Sequence, residues 1–454
     1  MRLRQTASET IEPGDDDSDH PADVAYDEAP TTGFHALVAT VAAGGSFSDG
    51  YALGTIGIAL SIARGSLHLD SLWLGLLGSA SLVGLFFGSL LIGPLADRVG
   101  RRPLFVPTMA AFSLLSLLQF FVTTPWELLP LRLLLGLILG IDYVVSCTVV
   151  TEFSPLRSRG RLLSLLVFMW CVGYTLAFII GTFLRSTVPD SWRWIIASGA
   201  IPSALIFLAR LKIPESPLWL LKRGRPAEAR RIIERYIGKN IQLPAGASLG
   251  FNSTKATWKE LFSVRFRRRT SIGMIFYTAQ VIPFFAVGTF IPIVFAALGI
   301  RNAYASGVVF NVFILLGSGF GLWLVDKLTR RQYLVGTFYI SAGPLLVLAF
   351  TDRAPPFIII TAFAVFAFVT AVAANIQWVY LPELFPTRLR ASGVGVGTAA
   401  SRIGSACATF LLPVSMTSLG VRPTLGLCVG VLLTGGILCH LFAPETQGRS
   451  IEDM

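Results

Sequence analysis

Three short polar motifs occur twice in this chain, and each copy follows a long apolar stretch. The paired motifs are DRVGRR at 97–102 and DKLTRR at 326–331, EFSP at 152–155 and ELFP at 383–386, and PES at 214–216 and PET at 444–446. Their first residues stand 229, 231 and 230 positions apart. Such a repeat within apolar surroundings predicts two similar membrane halves, with any binding site where the halves meet near the bilayer midplane.

The composition is that of a membrane protein. Hydrophobic residues make up 53% of the 454 positions and charged residues 14%, whereas soluble domains are about 25% charged. Stretches long enough to span a bilayer lie at 35–62, 72–96, 104–123, 126–150, 162–184, 193–211, 271–297, 303–325, 332–350, 356–380, 391–416 and 421–443. Because hydrocarbon offers unpaired backbone no water, they should be helices. We predict an all-α membrane protein with twelve transmembrane helices in two pseudo-symmetric six-helix bundles.

The net charge of +11 follows the predicted topology rather than a nucleic-acid surface. Arginines and lysines gather in alternate loops, and loops of this kind stay in the cytoplasm. We therefore expect both termini inside and no nucleic-acid partner. A multi-pass protein of the plasma membrane follows, and the short outer loops favour a bacterial inner membrane.

These patterns divide the chain into five parts. We predict a disordered cytoplasmic tail at 1–33, a first bundle at 34–211, a cytoplasmic linker with a short helix at 212–270, a second bundle at 271–443 and a cytoplasmic tail at 444–454. The five cysteines have no metal-type spacing and are interpreted as free thiols. No cofactor or metal is expected, and no nucleophile with its base is visible, so the sequence does not indicate an enzyme.

Several motifs resemble those of the major facilitator superfamily over essentially the whole chain. The run GPLADRVGRR at 93–102 is similar to that family's loop between helices two and three, and Arg132 with the glycines at 136 and 140 resembles its helix-four motif. The resemblance implies the major facilitator fold and transport by alternating access.

Other motifs of the chain resemble two branches of that superfamily. PESPLWL at 214–220 and PETQGR at 444–449 are similar to the sugar-porter pattern, although helix seven has one glutamine, Gln280, where sugar porters typically have two. The run from 380 to 395 and the triplet DGY at 49–51 look like bacterial metabolite:proton symporters, aromatic-acid symporters and organic-ion carriers. Ala52 stands where aromatic-acid symporters usually have a second aspartate.

Ionisable side chains deep in the apolar stretches are the first functional candidates, because each is costly in a membrane. Asp49 in helix one and Asp142 in helix four are predicted near the midplane, and Arg132 shares a helix with Asp142. Burial disfavours an ionised carboxylate, so either aspartate can pick up a proton on one side and release it on the other. We predict all three as proton-coupling residues. The alternative is that Asp142 forms a structural ion pair with Arg132 or a neighbour.

Arg402 is the strong cation deep in the second half. A guanidinium keeps its charge and binds carboxylates with two parallel hydrogen bonds. In the organic-ion carriers that the chain resembles, a basic residue here goes with anionic substrates, so Arg402 suggests an organic anion. The alternatives are pairing with Asp49 and snorkelling. Further predicted substrate ligands, which are aromatic or amide side chains at similar depth, are Tyr51, Tyr174, Tyr277, Gln280, Asn311, Asn375, Gln377 and Trp378.

The repeated charged motifs predict a gate on the cytoplasmic face. Ion pairs and helix-end charges there would latch helices together and stabilise the outward-open state. The predicted gate residues are Asp97, Arg98, Arg102, Glu152, Arg159, Glu215, Asp326, Arg331, Glu383, Arg390 and Glu445.

The sequence therefore predicts a secondary active transporter that carries a small polar metabolite, an organic anion in the favoured case, together with protons. Its expected partners are that small molecule, protons and the lipid bilayer, and we expect a monomer. A sugar or polyol symporter, or a facilitative uniporter, is the alternative. A receptor would be expected to have a long signalling tail, and a drug antiporter a Gly-Pro-rich helix five; neither pattern is seen.

Overall fold

The computed structural model describes residues 24–243, 258–325, 327–351 and 354–446. Its helices are α1 (Gly33–Ala63), α2 (Ser71–Val99), α3 (Arg102–Leu118), α4 (Pro125–Phe153), α5 (Leu156–Thr187), α6 (Ser191–Ala197), α7 (Ala200–Arg210), α8 (Pro217–Lys222), α9 (Pro226–Tyr236), α10 (Trp258–Leu261), α11 (Arg267–Thr289), α12 (Ile291–Ala297), α13 (Ala303–Leu324), α14 (Arg330–Phe350), α15 (Pro356–Glu383), α16 (Thr387–Ser418) and α17 (Val421–Phe442). Ten spans in these ranges are long and apolar enough to cross a membrane. Helices α1 and α16 are 31 and 32 residues long. Helix α1 packs mainly on α5, and α16 packs on α11 and α2.

The predicted fold of twelve transmembrane helices in two six-helix bundles is confirmed. Helices α1 to α7 form the first half and α11 to α17 the second, with α6 and α7 making one span and α11 and α12 another. The linker between the halves holds α8, α9 and α10 in its described part. The outer parts of both predicted tails, and residues 244–257 of the linker, lie outside the described residues.

Two predicted spans are broken rather than continuous helices. The sixth is divided at residues 198–199 and the seventh at Phe290. Pro202 and Pro292 follow these breaks closely. Proline has no N–H to donate and its ring clashes with the carbonyl four residues earlier, so helical bonding is interrupted ahead of each proline. Both predicted spans are present, each made of two consecutive helices.

Polar side chains begin several of the helices where the pattern of apolar residues starts. The Asp70 carboxylate accepts a hydrogen bond from the Trp73 N–H at 2.8 Å at the start of α2. The Thr329 hydroxyl accepts one from the Gln332 N–H at 3.3 Å at the start of α14. Both replace acceptors that the first turn of a helix lacks, and they fix where these spans begin.

The end of the bundle that bears the linker helices is called the linker face, and the opposite end the far face. The N-terminal segment lies on the linker face, where the Tyr26 hydroxyl donates to the Glu152 carbonyl oxygen at 2.9 Å. Burial raises the pKa of the Tyr26 phenol, which therefore keeps its proton and remains the donor. The Trp219 ring N–H donates to the Asp97 carbonyl at 3.1 Å. The described part of the linker thus rests on the first half.

The two halves touch each other near the far face. The Ser61 and Tyr304 hydroxyls lie 3.0 Å apart, and the Arg185 guanidinium lies 3.8 Å from the centre of the Tyr304 ring. The Thr175 hydroxyl donates to the Asn311 carbonyl at 2.9 Å. On the linker face, the ion pairs Arg101–Glu152, Arg225–Glu228 and Arg330–Glu383 each stay within one half together with its attached linker. The halves are therefore closed against each other at the far face.

Candidate functional site

A cavity of about 200 Å³ lies between the two halves. Its walls come from α1, α4 and α5 of the first half and from α11, α13, α15 and α16 of the second. The lining begins at mid-depth, with residues such as Cys171 and Ile314. It reaches Thr151 and Leu163, which lie within about two turns of the linker-face ends of α4 and α5. The cavity therefore extends towards the linker face, away from the closed far face.

Arg402 supplies the positive charge of this cavity. It lies halfway along α16, lines the cavity and is 7% exposed. Within the described part of the chain, no ion pair or hydrogen bond reaches its guanidinium, and its buried Nε has no acceptor. The guanidinium carbon lies 5.5 Å from the centre of the Tyr143 ring. Because a buried cation needs a counter-charge, this arrangement is suited to an incoming anion.

Gln280 and Gln377 lie on α11 and α15 and form the polar pair of the cavity. The Gln377 side-chain N–H donates to the Gln280 carbonyl oxygen at 3.1 Å. The Gln280 Nε2 is buried and has no acceptor among the described residues. One amide donor is therefore left for a ligand.

Aromatic rings from both halves make up much of the remaining wall. Tyr143 of the first half packs on Trp378 of the second, with ring centres 5.4 Å apart. Trp170 of the first half lies 6.3 Å from each of the Phe284 and Phe285 rings of the second. The rings therefore join the halves at the level of the cavity.

Asp49 lies at mid-depth on α1, behind the cavity. The residue of α1 that lines the cavity is Ser46. It is 2% exposed, and both carboxylate oxygens lack a hydrogen-bond partner among the described residues. The basic groups that act on it electrostatically are Arg210 and Arg402. A buried carboxylate without donors is poorly stabilised in its charged form, which suits it to bind a proton.

Asp142 is held by a cation that the sequence analysis did not single out. Arg210, the last residue of α7, binds both Asp142 oxygens, and its Nη2 lies 3.0 Å from Oδ2. Both side chains are fully buried. The hydroxyls of Thr108 and Ser146 each donate to Asp142 at 3.1 Å. Asp142 is thus saturated with donors, whereas Asp49 has none.

Arg132, one of the structural partners predicted for Asp142, does not pair with it. The Arg132 guanidinium is fully buried in the first half, where Nη2 donates weakly to the Ala52 carbonyl at 3.4 Å. No described carboxylate pairs with it. Arg210 was overlooked because it ends an apolar span, where an arginine is usually read as a topology signal.

The structure separates the predicted ligands into two groups. Tyr277, Gln280, Gln377, Trp378 and Arg402 come together in the cavity. Four others lie outside its lining: Tyr51, Tyr174, Asn311 and Asn375.

Each side chain outside the cavity has a contact elsewhere. The Tyr51 hydroxyl lies 2.8 Å from the Ser198 hydroxyl within the first half. Tyr174 stacks on Trp170 with ring centres 5.3 Å apart. The Asn311 amide donates to its own helix at Gly307, and the Asn375 amide reaches the Ser318 carbonyl at 3.3 Å. The Asn375 amide thus links α15 to α13, whereas the Asn311 amide is used within α13, and neither residue lines the cavity.

Sequence reasoning missed the aromatic and thiol part of the lining. Tyr143, Trp170, Phe284, Phe285 and Cys147 all face the cavity. In an apolar span, an aromatic residue that faces a cavity looks the same as one that faces lipid. The available signal was positional, because Tyr143 immediately follows Asp142 and Phe284 lies one turn beyond Gln280.

The charged motifs form one cluster in each half on the linker face. Arg101 binds Glu152 at 2.9 Å, and the Arg101 N–H donates to Glu215 at 3.0 Å. In the second half Arg330 lies 3.5 Å from Glu383, and the Arg330 N–H donates to Glu445 at 3.1 Å. The basic residues at the centre of the clusters are therefore Arg101 and Arg330.

The predicted gate arginines stand at the edges of these clusters. Arg98 and Arg102 are exposed. Arg331 donates through its side chain to the His440 carbonyl, and Arg159 donates to the Ser154 carbonyl at 3.0 Å. Asp97 is largely exposed and pairs with Arg101 at 3.0 Å. Asp326 and the Arg390 side chain lie outside the described residues. The predicted interhelix latch stays a prediction, and the pairs named above each act inside one half.

Comparison with known proteins gives three kinds of match. The family model described as Sugar (and other) transporter matches residues 38–454. The inner membrane metabolite transport protein YgcS of Escherichia coli K12 is 39% identical over 93% of this chain and 94% of its own length. The putative metabolite transport protein YaaU of the same strain is 36% identical over 94% and 96%.

A solved structure has the same fold. The partially occluded inward-open form of the xylose transporter XylE from E. coli has a TM-score of 0.80 against this chain at 20% identity. The match covers 92% of this chain and all of that one.

Proposed function

We propose, from the fact that this chain belongs to the sugar (and other) transporter family of the major facilitator superfamily, that it couples uptake of a small organic anion to protons. Transport of a small molecule across a membrane is the shared property of that family. The observation that supports an anion is the Arg402 guanidinium, which faces the cavity between the halves and makes no direct ion pair or hydrogen bond with the described residues.

The placement of the cavity supports alternating access. A site made by both halves changes its accessibility when one half rocks against the other. In this conformation the halves meet at the far face, and the cavity extends towards the linker face.

The positive loops on the linker face support a cytoplasmic location for it, so this conformation is inward-open in our proposal. The relative named as an inner membrane protein supports the bacterial inner membrane as the location. We retain the expectation of a monomer, because each chain has a complete cavity between its own halves.

Asp49 is the proposed proton carrier. Its carboxylate is buried, lacks donors and has Arg402 among its electrostatic neighbours. When Asp49 is charged it attracts Arg402, and when it is protonated Arg402 is available to the substrate anion. Proton binding and anion binding therefore favour each other. Asp142 is a weaker candidate than the sequence suggested, because Arg210, Thr108 and Ser146 already stabilise its charge.

A sugar symporter or uniporter is the second candidate. The Gln280 and Gln377 pair favours it, because amides are suited to bind hydroxyl groups, and the solved neighbour is named a xylose transporter. A neutral sugar, however, would leave Arg402 buried beside it without a directly bonded counter-charge, which is unfavourable.

Uptake into proteoliposomes across an imposed pH gradient tests the proposal. Small carboxylic acids, their neutral amides, and pentoses are offered to the wild type and to Arg402→Leu. We expect acid uptake that depends on the gradient and disappears in the variant. Arg301→Leu is the matched control, because Arg301 is exposed and lies in the short loop between α12 and α13. Pentose uptake that Arg402→Leu leaves intact, without uptake of any acid, would overturn the anion proposal.

A further inference from the structure

The proposed function leaves the kind of anion open, and the cavity wall restricts it. We infer that the substrate is a monocarboxylate carried on a flat, sparsely hydroxylated ring, such as a benzoate-class acid. This inference rests on the proposed function, since it takes Arg402 as the anchor of the carboxylate.

The charge of the wall indicates a single carboxylate. Arg402 is the one basic residue among the described lining residues, and none of those residues is acidic. A guanidinium binds one carboxylate through two parallel hydrogen bonds. A second carboxylate would have to leave water without a cation to receive it, and an uncompensated buried charge is strongly unfavourable. A dicarboxylate therefore fits this wall poorly.

The donors of the wall indicate few hydroxyl groups on the substrate. The Thr151 hydroxyl donates to the Cys147 carbonyl at 2.7 Å, and the Thr370 hydroxyl to the Phe366 carbonyl at 2.8 Å, each on its own helix. Gln377 donates to Gln280. The donor hydrogens of both threonines and one of Gln377 are thus engaged. Besides Arg402, the other polar groups of a mainly apolar wall include the Ser46, Tyr143 and Tyr277 hydroxyls and the Gln280 Nε2. A ligand with many hydroxyls would bury more of them than these few groups can pair, at a cost of roughly 1–3 kcal/mol each.

The aromatic groups indicate a flat ring. Aromatic rings from both halves line the cavity with their faces and edges. They are Tyr143 with Trp378, and Trp170 with Phe284 and Phe285. Aromatic rings attract one another in stacked or edge-to-face geometry beyond the effect of buried area. A ring bound here would contact both halves at once.

The size of the cavity agrees with a single small ring. Pockets for drug-sized ligands measure roughly 300–1000 Å³, and this cavity measures about 200 Å³. The free Gln280 Nε2 donor then offers one hydrogen bond to an acceptor on the ring or to the carboxylate. The wall thus specifies charge, shape and polarity together.

Binding to the purified full-length protein tests this inference. Isothermal titration compares benzoate with four other ligands. Benzamide lacks the charge, phthalate has a second carboxylate, and gluconate has hydroxylated carbons in place of the ring. Xylose is both uncharged and hydroxylated. We expect benzoate to bind at least tenfold more tightly than each of the others. Arg402→Leu should abolish benzoate binding.

Two tryptophan variants separate the ring from the carboxylate. Trp378→Leu should weaken benzoate roughly tenfold, since it removes ring contact, while any residual gluconate binding stays unchanged. Trp323→Leu is the control, because Trp323 is 57% exposed and lies outside the cavity. Thermal unfolding of both variants checks that they fold.

The outcomes distinguish the two proposals. Arg402-dependent binding of gluconate without binding of benzoate would overturn the flat-ring inference and leave the organic-anion function standing. Binding of xylose that is independent of Arg402, with no binding of either acid, would overturn the function itself and the inference with it. Phthalate binding as tight as that of benzoate would overturn the single-carboxylate part.

Discussion

Gly45 of α1 lies directly against Arg210 of α7. A Cβ atom at position 45 would stand 2.0 Å from the Arg210 Nη2 and 2.5 Å from the Asp142 Oδ2. Helix α1 therefore packs its backbone on the buried ion pair, and Asp49 follows one turn further along the same helix. The position of the proposed proton carrier is set by this contact.

Gly45→Ala should destabilise the protein. The methyl group cannot be accommodated unless the Asp142–Arg210 pair or α1 moves, and overpacking of this kind costs roughly 1–3 kcal/mol. Thermal unfolding in detergent measures the loss. Gly33→Ala on the same helix is the control, because nothing lies within 4 Å of an added Cβ there. Equal melting temperatures for the two variants would contradict this packing.

Replacing one partner of the Asp142–Arg210 pair should be more harmful than replacing both. Asp142→Asn or Arg210→Met leaves a buried charge uncompensated, at a cost of roughly 3–5 kcal/mol. The double variant removes both charges and should recover much of that loss. A double-mutant cycle on unfolding temperature measures the coupling. If Asp142→Asn folds like the wild type and loses only proton coupling, the role predicted from the sequence is restored to Asp142.

Asp49→Asn should have the opposite profile. No described group donates to the Asp49 carboxylate, so stability should be unchanged or slightly increased. Uptake against a gradient should be lost, because the side chain can no longer gain and lose a proton. Exchange of labelled for unlabelled substrate at equal pH should continue. Uphill uptake that persists in Asp49→Asn under an imposed pH gradient would rule out Asp49 as the carrier.

Cys147 should report which side of the membrane reaches the cavity. It lines the cavity and is half-buried. A membrane-impermeant maleimide should label it in inside-out vesicles and not in right-side-out ones, with Cys147→Ser as the background. Asp97→Asn, which is predicted to favour the inward-open state, should raise the labelling rate. Labelling from the outer side only would reverse the proposed orientation, and an unchanged rate in Asp97→Asn would count against the latch.

The sequence was most informative where composition and repetition decide the outcome. Twelve apolar stretches in two repeats are enough to predict two six-helix bundles, because the bilayer permits few alternatives. The breaks at residues 198–199 and at Phe290 were missed, since other prolines, such as Pro283 in α11, lie inside unbroken helices of the same fold. Whether a proline breaks a helix depends on its packing neighbours.

The candidate site could be predicted only in part. Arg402, Gln280, Gln377, Tyr277 and Trp378 were chosen by chemistry and depth, and the fold brings them to one cavity. Depth alone does not say which way a side chain points.

The four outlying candidates illustrate this limit. Tyr51, Tyr174, Asn311 and Asn375 lie in the same spans, but none of them lines the cavity. Tyr51 reaches Ser198 and Asn375 reaches α13, whereas the cited contacts of Tyr174 and Asn311 are within their own helices. The partner of Asp142 depends on the packing of α7 against α4, which the sequence does not reveal.

Glu215 and Glu445 also set an order for biosynthesis. Each follows the last span of its half. Its carboxylate accepts hydrogen bonds from the first backbone N–H groups at the start of the third span of that half, α3 or α14. During translation the ribosome has therefore delivered all six spans of a half before the residue that closes it emerges. The third helix waits with an open N-terminus until then. Each half is completed by its own final segment, so the first can reach its finished form while the second is still being made.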